Sequence, residues 1–271
     1  MSLPELLPWF APKLSPDVSR VIQSLGRRAV LERGQTLGSS VFFNRLVYVQ
    51  EGFLAQGVIN PGGSRLFMMT LSGPGMLGAT AGLVDSLDNL PRRYWAATHC
   101  VVLTLMPEIL LRLSEVDDRL NQELSAVFWR GIRLAYAIRH AMCERMGLMV
   151  SQASTVEERL GVFIVAMLAA AGRIDLEKIS DKGRWVSFNV LPSRKLVTAM
   201  LVADEAALKD VIKKWLKEDV LRWEKGAFLV RSDMLLKYRQ WMQPFVRMHE
   251  NMVPMLHESK LFDRLELDLK H

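Results

Sequence analysis

Ala206, Asp210, Lys213 and Lys217 recur at alternating four- and three-residue steps, the spacing that puts side chains on one face of an α-helix. Lys209 and Lys214 flank that face, and Leu208, Val211, Ile212 and Trp215 fall opposite. Cations on such a front can meet phosphates or guanine O6/N7, a small Ala206 suits a thymine methyl, and an acidic Asp210 can accept from cytosine N4 or weaken binding. The plain alternative is an ordinary amphipathic surface helix. Other spacings carry less. Gly73-Pro74-Gly75-Met76-Leu77-Gly78 matches G-x-G-x-x-G, yet Asn89 to Thr104 lacks the acidic residue that a dinucleotide ribose needs, so a turn explains the glycines better. His140, Cys143 and Glu144 share a helix face but have no fourth metal ligand in reach. Cys100 and Cys143 are candidate redox thiols, with inert burial as the default. No Ser/His/Asp set or telling carboxylate pair stands out, so no catalytic residue, resident metal or cofactor is expected.

The elements around the lysine face form a recognisable layout. Pro192 to about Val202 reads as a helix starting at Pro192 or Ser193, and Asp204 caps a second from Glu205 to about Glu218. Val220 to Trp223, the Glu224-Lys225-Gly226 turn and Ala227 to Val230 read as a hairpin, with a further strand at Trp185 to Phe188. Helix, turn, helix, hairpin is a winged helix-turn-helix, whose second helix enters the major groove. Ser193, Arg194, Lys195, Glu205 and Lys225 join the expected DNA contacts. Charge agrees: residues 178–239 hold 14 basic and 8 acidic residues, whereas residues 1–177 hold 17 and 16. A basic module favours a polyanion through counterion release, against the alternative of a solvated lysine face.

Upstream, Ala29 to Met106 consists of short apolar runs broken by glycine and proline turns: Val41 to Phe43, Leu46 to Val49, Phe53 to Ile59, Arg65 to Leu71 and Trp95 to Met106. That predicts an antiparallel sandwich or barrel. A helical stripe follows from about Val116 to Met149, including Leu124, Phe128, Ile132, Ala135, Ile138 and Met142. A helix this long is expected to dimerise, with burial against its own sheet as the alternative. Overlapping capping boxes, Ser154-x-x-Glu157 and Thr155-x-x-Glu158, open another helix to Ala171, stopped by Gly172. In the tail, Leu235 to Phe245 predicts a helix ending at Pro244, and Met248 to Leu267 carries a second apolar stripe.

Sandwich, long helix and winged helix-turn-helix, in that order over roughly residues 28–232, resemble the catabolite activator/FNR (Crp/Fnr) superfamily of transcription regulators. Val49-Gln50-Glu51-Gly52, Pro61-Gly62 and Leu71 to Gly78 are similar to landmarks of its cyclic-nucleotide-binding-like barrel, and Ser193 to Leu221 to its helix-turn-helix with one residue inserted in the turn. The resemblance implies an α+β chain divided into a β-roll sensor (1–115), a dimerisation helix (116–150), a winged helix-turn-helix (151–239) and a C-terminal extension (240–271). It places the effector pocket near Met69, Gly78, Ala79, Arg92 and Arg93. Departures bear on function. Ala79 stands where cyclic-AMP-binding members have a ribose-binding glutamate, and Arg92 or Arg93, the arginine for the cyclic phosphate, lacks the small hydroxyl residue that usually follows. The cysteine cluster of iron–sulfur members is missing, and the reader positions carry Glu205, Ala206 and Asp210 in place of the usual Arg-Glu pair and later Arg. Cyclic AMP and an iron–sulfur cluster are therefore not expected.

The expected partners are double-stranded DNA and a second copy of the chain, with RNA polymerase and an apolar small-molecule effector as further candidates. The rival reading is a degenerate member acting through protein–protein contacts of the long helix and tail. Two cysteines fit a reducing cytoplasm, and Met1 to Pro12 has no basic n-region and carries Pro4, Pro8 and Pro12, unlike a signal peptide. The longest uncharged apolar run, Leu160 to Gly172, is too short to span a bilayer, so no membrane insertion is expected.

Overall fold

The computed structural model describes residues 7–14, 16–37, 45–59, 66–80, 92–106, 135–176, 178–179, 183–188 and 192–250. Val41 to Phe43, Leu124, Phe128, Ile132 and the tail after Glu250 lie outside them. Among the described residues, helix α1 (Pro16–Leu25) precedes strands β1 (Arg27–Leu31), β2 (Leu46–Glu51), β3 (Leu54–Ile59), β4 (Leu66–Ser72), β5 (Leu77–Thr80), β6 (Arg92–Ala96) and β7 (Cys100–Leu105). They form two antiparallel sheets, ordered β1-β7-β2-β5 and β4-β3-β6. The run Trp95 to Met106 is thus not one strand: the chain turns at Ala97–His99 and enters the other sheet.

Side-chain alternation sorts these strands. Val47 and Val49 of β2, with Cys100 and Val102 of β7, join Leu54, Ala79 and Ala96 in a cluster shared by both sheets. The intervening Leu46, Tyr48, Leu103 and Leu105 belong to a second, larger core. Both faces of this sheet are therefore covered, which explains why its strands read as unbroken apolar runs.

The larger core centres on helix α3 (Val156–Ala170), buried at every position from Leu160 to Ala170. Of the two predicted capping boxes, the Thr155 one forms: its hydroxyl accepts from the Glu158 N–H, and the Glu158 carboxylate accepts from the Thr155 N–H at 2.8 Å. Ser154 instead donates back to the Val150 carbonyl, closing helix α2 (Ala135–Ala153). Met142, Met146 and Val150 of α2 are buried within their own chain. Met142, expected at a dimer interface, thus packs inside the protomer; Ala135 and Ile138 are helical.

The N-terminal segment, expected only not to be a signal peptide, fills this core. Trp9 and Ala11 exchange backbone hydrogen bonds with Leu71 of β4 at 2.7 Å, and the Leu14 N–H donates to the Gly75 carbonyl. Phe10 is fully buried against Phe53 and Phe163, and Trp9 meets Phe163 edge-on. Gly147 of α2 admits the indole, since a Cβ there would lie 2.7 Å from Trp9 Cδ1. Residues 7–14 thereby strap the sandwich to helices α2 and α3.

The remaining module contains β8 (Trp185–Phe188), α4 (Arg194–Met200), α5 (Glu205–Lys217), β9 (Leu221–Glu224), β10 (Ala227–Arg231) and α6 (Ser232–Glu250), with sheet order β8-β10-β9. Lys225 and Gly226 both have positive φ, as a two-residue hairpin turn requires. Helix α6 continues through Pro244 to Glu250. The expected stop at Pro244 fails because proline removes one N–H donor, a local cost that a helix packed along α3 can absorb.

Candidate nucleic-acid interface

The two helices of the module start where their side-chain chemistry dictates. Ser193 Oγ accepts from the Leu196 N–H, and Asp204 Oδ1 accepts from the Ala207 N–H at 2.9 Å. Leu196, Val197, Met200, Leu208 and Trp215 form the buried back, with Val211 and Ile212 packed against it. Between the helices, Val202 adopts φ 48° although it is β-branched and 68% exposed. Arg159 of α3 donates to the carbonyls of Leu201 and Val202 and so fixes this turn from behind. Left-handed geometry costs a valine about 1–2 kcal/mol. Val202→Gly is therefore expected to raise the thermal midpoint despite glycine's extra chain entropy, and a lowered midpoint would mean that the valine side chain makes a stabilising contact.

The predicted contact residues separate into two groups. Ala206, Lys209, Asp210, Lys213 and Lys217 are all exposed on α5, and no carboxylate among the described residues lies within ion-pair distance of those three lysines. Lys195 on α4 and Lys225 at the hairpin tip are also exposed. Others are engaged. Arg194 pairs with Glu205 at 3.1 Å, so these two cancel each other's charge. Lys214 is held 2.8 Å from Glu157 of α3, whose other oxygen accepts from Trp215 Nε1. Burial pushes the Glu157 carboxyl up, but the Lys214 and Trp215 hydrogen bonds outweigh it and leave the pKa below its ordinary value. Lys214 thus joins the module to α3 and stands apart from the free front.

The predicted effector residues do not gather into one site. Met69 belongs to the larger core, Ala79 to the cluster between the sheets, and Arg93 is exposed. A Cβ on Gly78 would come within 2.2 Å of Leu54 Cδ1, so the glycine serves apolar packing, and strand β5 rather than a helix contains it. Arg92 shares its face of β6 with Tyr94 and Ala96, which contribute to the cluster between the sheets. There it meets Glu144 of α2 at 3.2 Å. Thr70 also donates to Glu144, and His140 Nδ1 lies 3.6 Å from the same oxygen. His140 and Glu144 are therefore part of an ionic joint between sheet and helix, while Cys143 is a buried thiol on the same helix. Among the described residues no cluster of metal-ligating side chains forms.

Sequence reasoning missed this joint, the N-terminal strap and the exposed Trp223 of β9. Arg92 and Glu144 are 52 residues apart, with no local signal linking them. Cys100 donates to the Phe53 carbonyl at 3.1 Å, and burial pushes its thiol up, the setting of an inert cysteine. No described helix is long and apolar enough to cross a membrane.

No family model and no curated protein matches the chain. Solved structures do. FixK2 from Bradyrhizobium japonicum aligns with a TM-score of 0.53 at 14% identity, covering 79% of this chain and 96% of that one. CLP of Xanthomonas campestris, described as a c-di-GMP responsive global regulator, gives 0.51 at 15%, covering 79% and 97%. A CprK variant complexed with OCPA gives 0.51 at 12%, covering 89% and 100%. The chain has the fold of these solved structures, in agreement with the resemblance of its sequence to the catabolite activator/FNR (Crp/Fnr) superfamily.

Proposed function

We propose that the protein is a DNA-binding transcription regulator that works as a dimer and does not respond to cyclic AMP. The observation that carries this reading is the exposed row Lys209, Lys213 and Lys217, without a carboxylate partner among the described residues, on a helix whose back is formed by the buried Leu208 and Trp215. Such a helix can enter a major groove, with Ala206 near its leading end. A second copy would place two of these helices about 34 Å apart on successive turns of duplex. The stripe that leads into helix α2, including Leu124, Phe128 and Ile132, is the element for that dimer, because Met142 of α2 is buried within its own chain.

The cyclic AMP exclusion rests on two contacts. Ala79 offers no acceptor for a ribose hydroxyl and is packed among apolar side chains. Arg92, the residue the resemblance offers to a cyclic phosphate, faces this chain's own Glu144 carboxylate. An effector entering the sandwich would be apolar, or would have to displace Glu144. Contact with RNA polymerase remains part of the same proposal, as does the absence of a resident cofactor.

Binding to random duplex DNA at rising salt tests the reading. Each phosphate contact contributes about 0.9 to the slope of log K against log salt. The triple variant K209A/K213A/K217A is expected to bind more weakly and to flatten the slope by about 2–3 per protomer. An unchanged slope would remove α5 from the interface.

A further inference from the structure

We infer that Trp223 is a second, charge-independent DNA contact, an apolar wedge carried by the wing beside the reader helix; this rests on the DNA reading above. Trp223 lies on β9, the edge strand of its sheet, and is 58% exposed. It pairs with Phe228 on β10, which pairs with Phe188 on β8, so three aromatic residues form a row across the sheet. Phe188 and Phe228 stack at 5.5 Å, and Trp223 sits edge-on to Phe228 at 4.3 Å. One end of the row is buried and the other reaches solvent, so the indole is held in place while its outer face stays open. A fixed ring loses little conformational freedom when something covers it.

The surrounding charges point to how it would be used. Arg222 makes a two-pronged pair with Asp219 at 2.6 and 2.7 Å and lies over the Trp185 ring at 4.3 Å. That pairing holds the Asp219 carboxyl below its ordinary pKa. Across residues 219–233 the three cations Arg222, Lys225 and Arg231 are matched by the three carboxylates Asp219, Glu224 and Asp233, and Arg231 pairs with Asp233 at 2.6 Å. The wing therefore has no net charge with which to grip phosphates, and its distinguishing group is apolar. Yet it is continuous with the cationic front. Strand β9 packs on α5, and Lys217 and Lys225 lie on either side of Trp223 along an almost wholly exposed stretch from Leu216 to Gly226. Phosphate attraction would thus come from α5, and the wing would add an apolar ring at the groove, where inserted apolar side chains of other DNA-binding proteins wedge between base steps.

Salt dependence separates the two kinds of contact. Full-length protein and its W223A and W223F variants are titrated against a labelled random-sequence duplex at several salt concentrations, with thermal melts as a folding control. W223A is expected to bind about tenfold more weakly at every salt concentration with the same slope, because no counterion is released by an indole. W223F should recover most of that loss. If the parent binds and W223A matches it, the wedge is disproved while the lysine contact stands. If W223A flattens the slope, Trp223 acts through the charged groups and the inference is equally overturned. No binding by the parent at low salt would overturn the DNA reading itself.

Discussion

Replacing Trp9 by alanine is expected to lower the free energy of unfolding by about 3–5 kcal/mol, the usual loss for a buried aromatic truncated in a well-packed core. Trp9 is 4% exposed and sits where three parts of the molecule meet: Leu71 of the sandwich, Gly147 of α2 and Phe163 of α3. Its φ of 63° is unusual for a bulky residue, so the strap holds a backbone conformation that the ring and the paired Leu71 must keep in place. Alanine keeps the strained backbone and removes the ring, leaving a cavity where the sandwich meets α2 and α3. Guanidinium denaturation should show a clearly lower midpoint. A change below 1 kcal/mol would mean that the strap is not part of the cooperative core.

Glu144→Leu is expected to be comparably costly, by about 3–5 kcal/mol, for a different reason. The Arg92 and Glu144 side chains are only 10% and 9% exposed, so deleting the carboxylate leaves a guanidinium in a poorly solvated joint beside His140. Replacing both charges, as in R92M/E144L, removes that penalty and should restore most of the stability. A double-mutant cycle measures the difference. Additive losses would show that the two residues do not act as a pair. The joint also ties β6, an edge strand of its sheet, to the helix that leads toward the module carrying α4 and α5. An effector that displaced Glu144 would therefore act directly on that helix.

These two features mark the limit of what one sequence discloses. The helix-turn-helix module was legible almost residue by residue, because its signals are local. Ser193 and Asp204 cap the helices they precede, Lys225-Gly226 supplies two positive φ values, and Leu208 and Trp215 fall on one side of a wheel. The choice between Ser154 and Thr155 was not legible, since both fit a capping box and only the end of the preceding helix decides. Lys214 looked like a flanking DNA contact for a similar reason: its partner Glu157 stands on another helix, 57 residues away. The strap was hidden because three prolines and a short apolar run resemble a loose terminus until β4 supplies a partner.

The central claim is that the free front of α5 meets DNA, and lysine reactivity tests it within a single helix. The protein is acetylated with and without saturating duplex DNA, and the modified lysines are quantified by mass spectrometry. Protection of Lys209, Lys213 and Lys217, with Lys214 and the distant Lys178 little changed, is the predicted result. Uniform reactivity under conditions where DNA is bound, or protection centred on Lys178, would place the interface elsewhere and contradict the account.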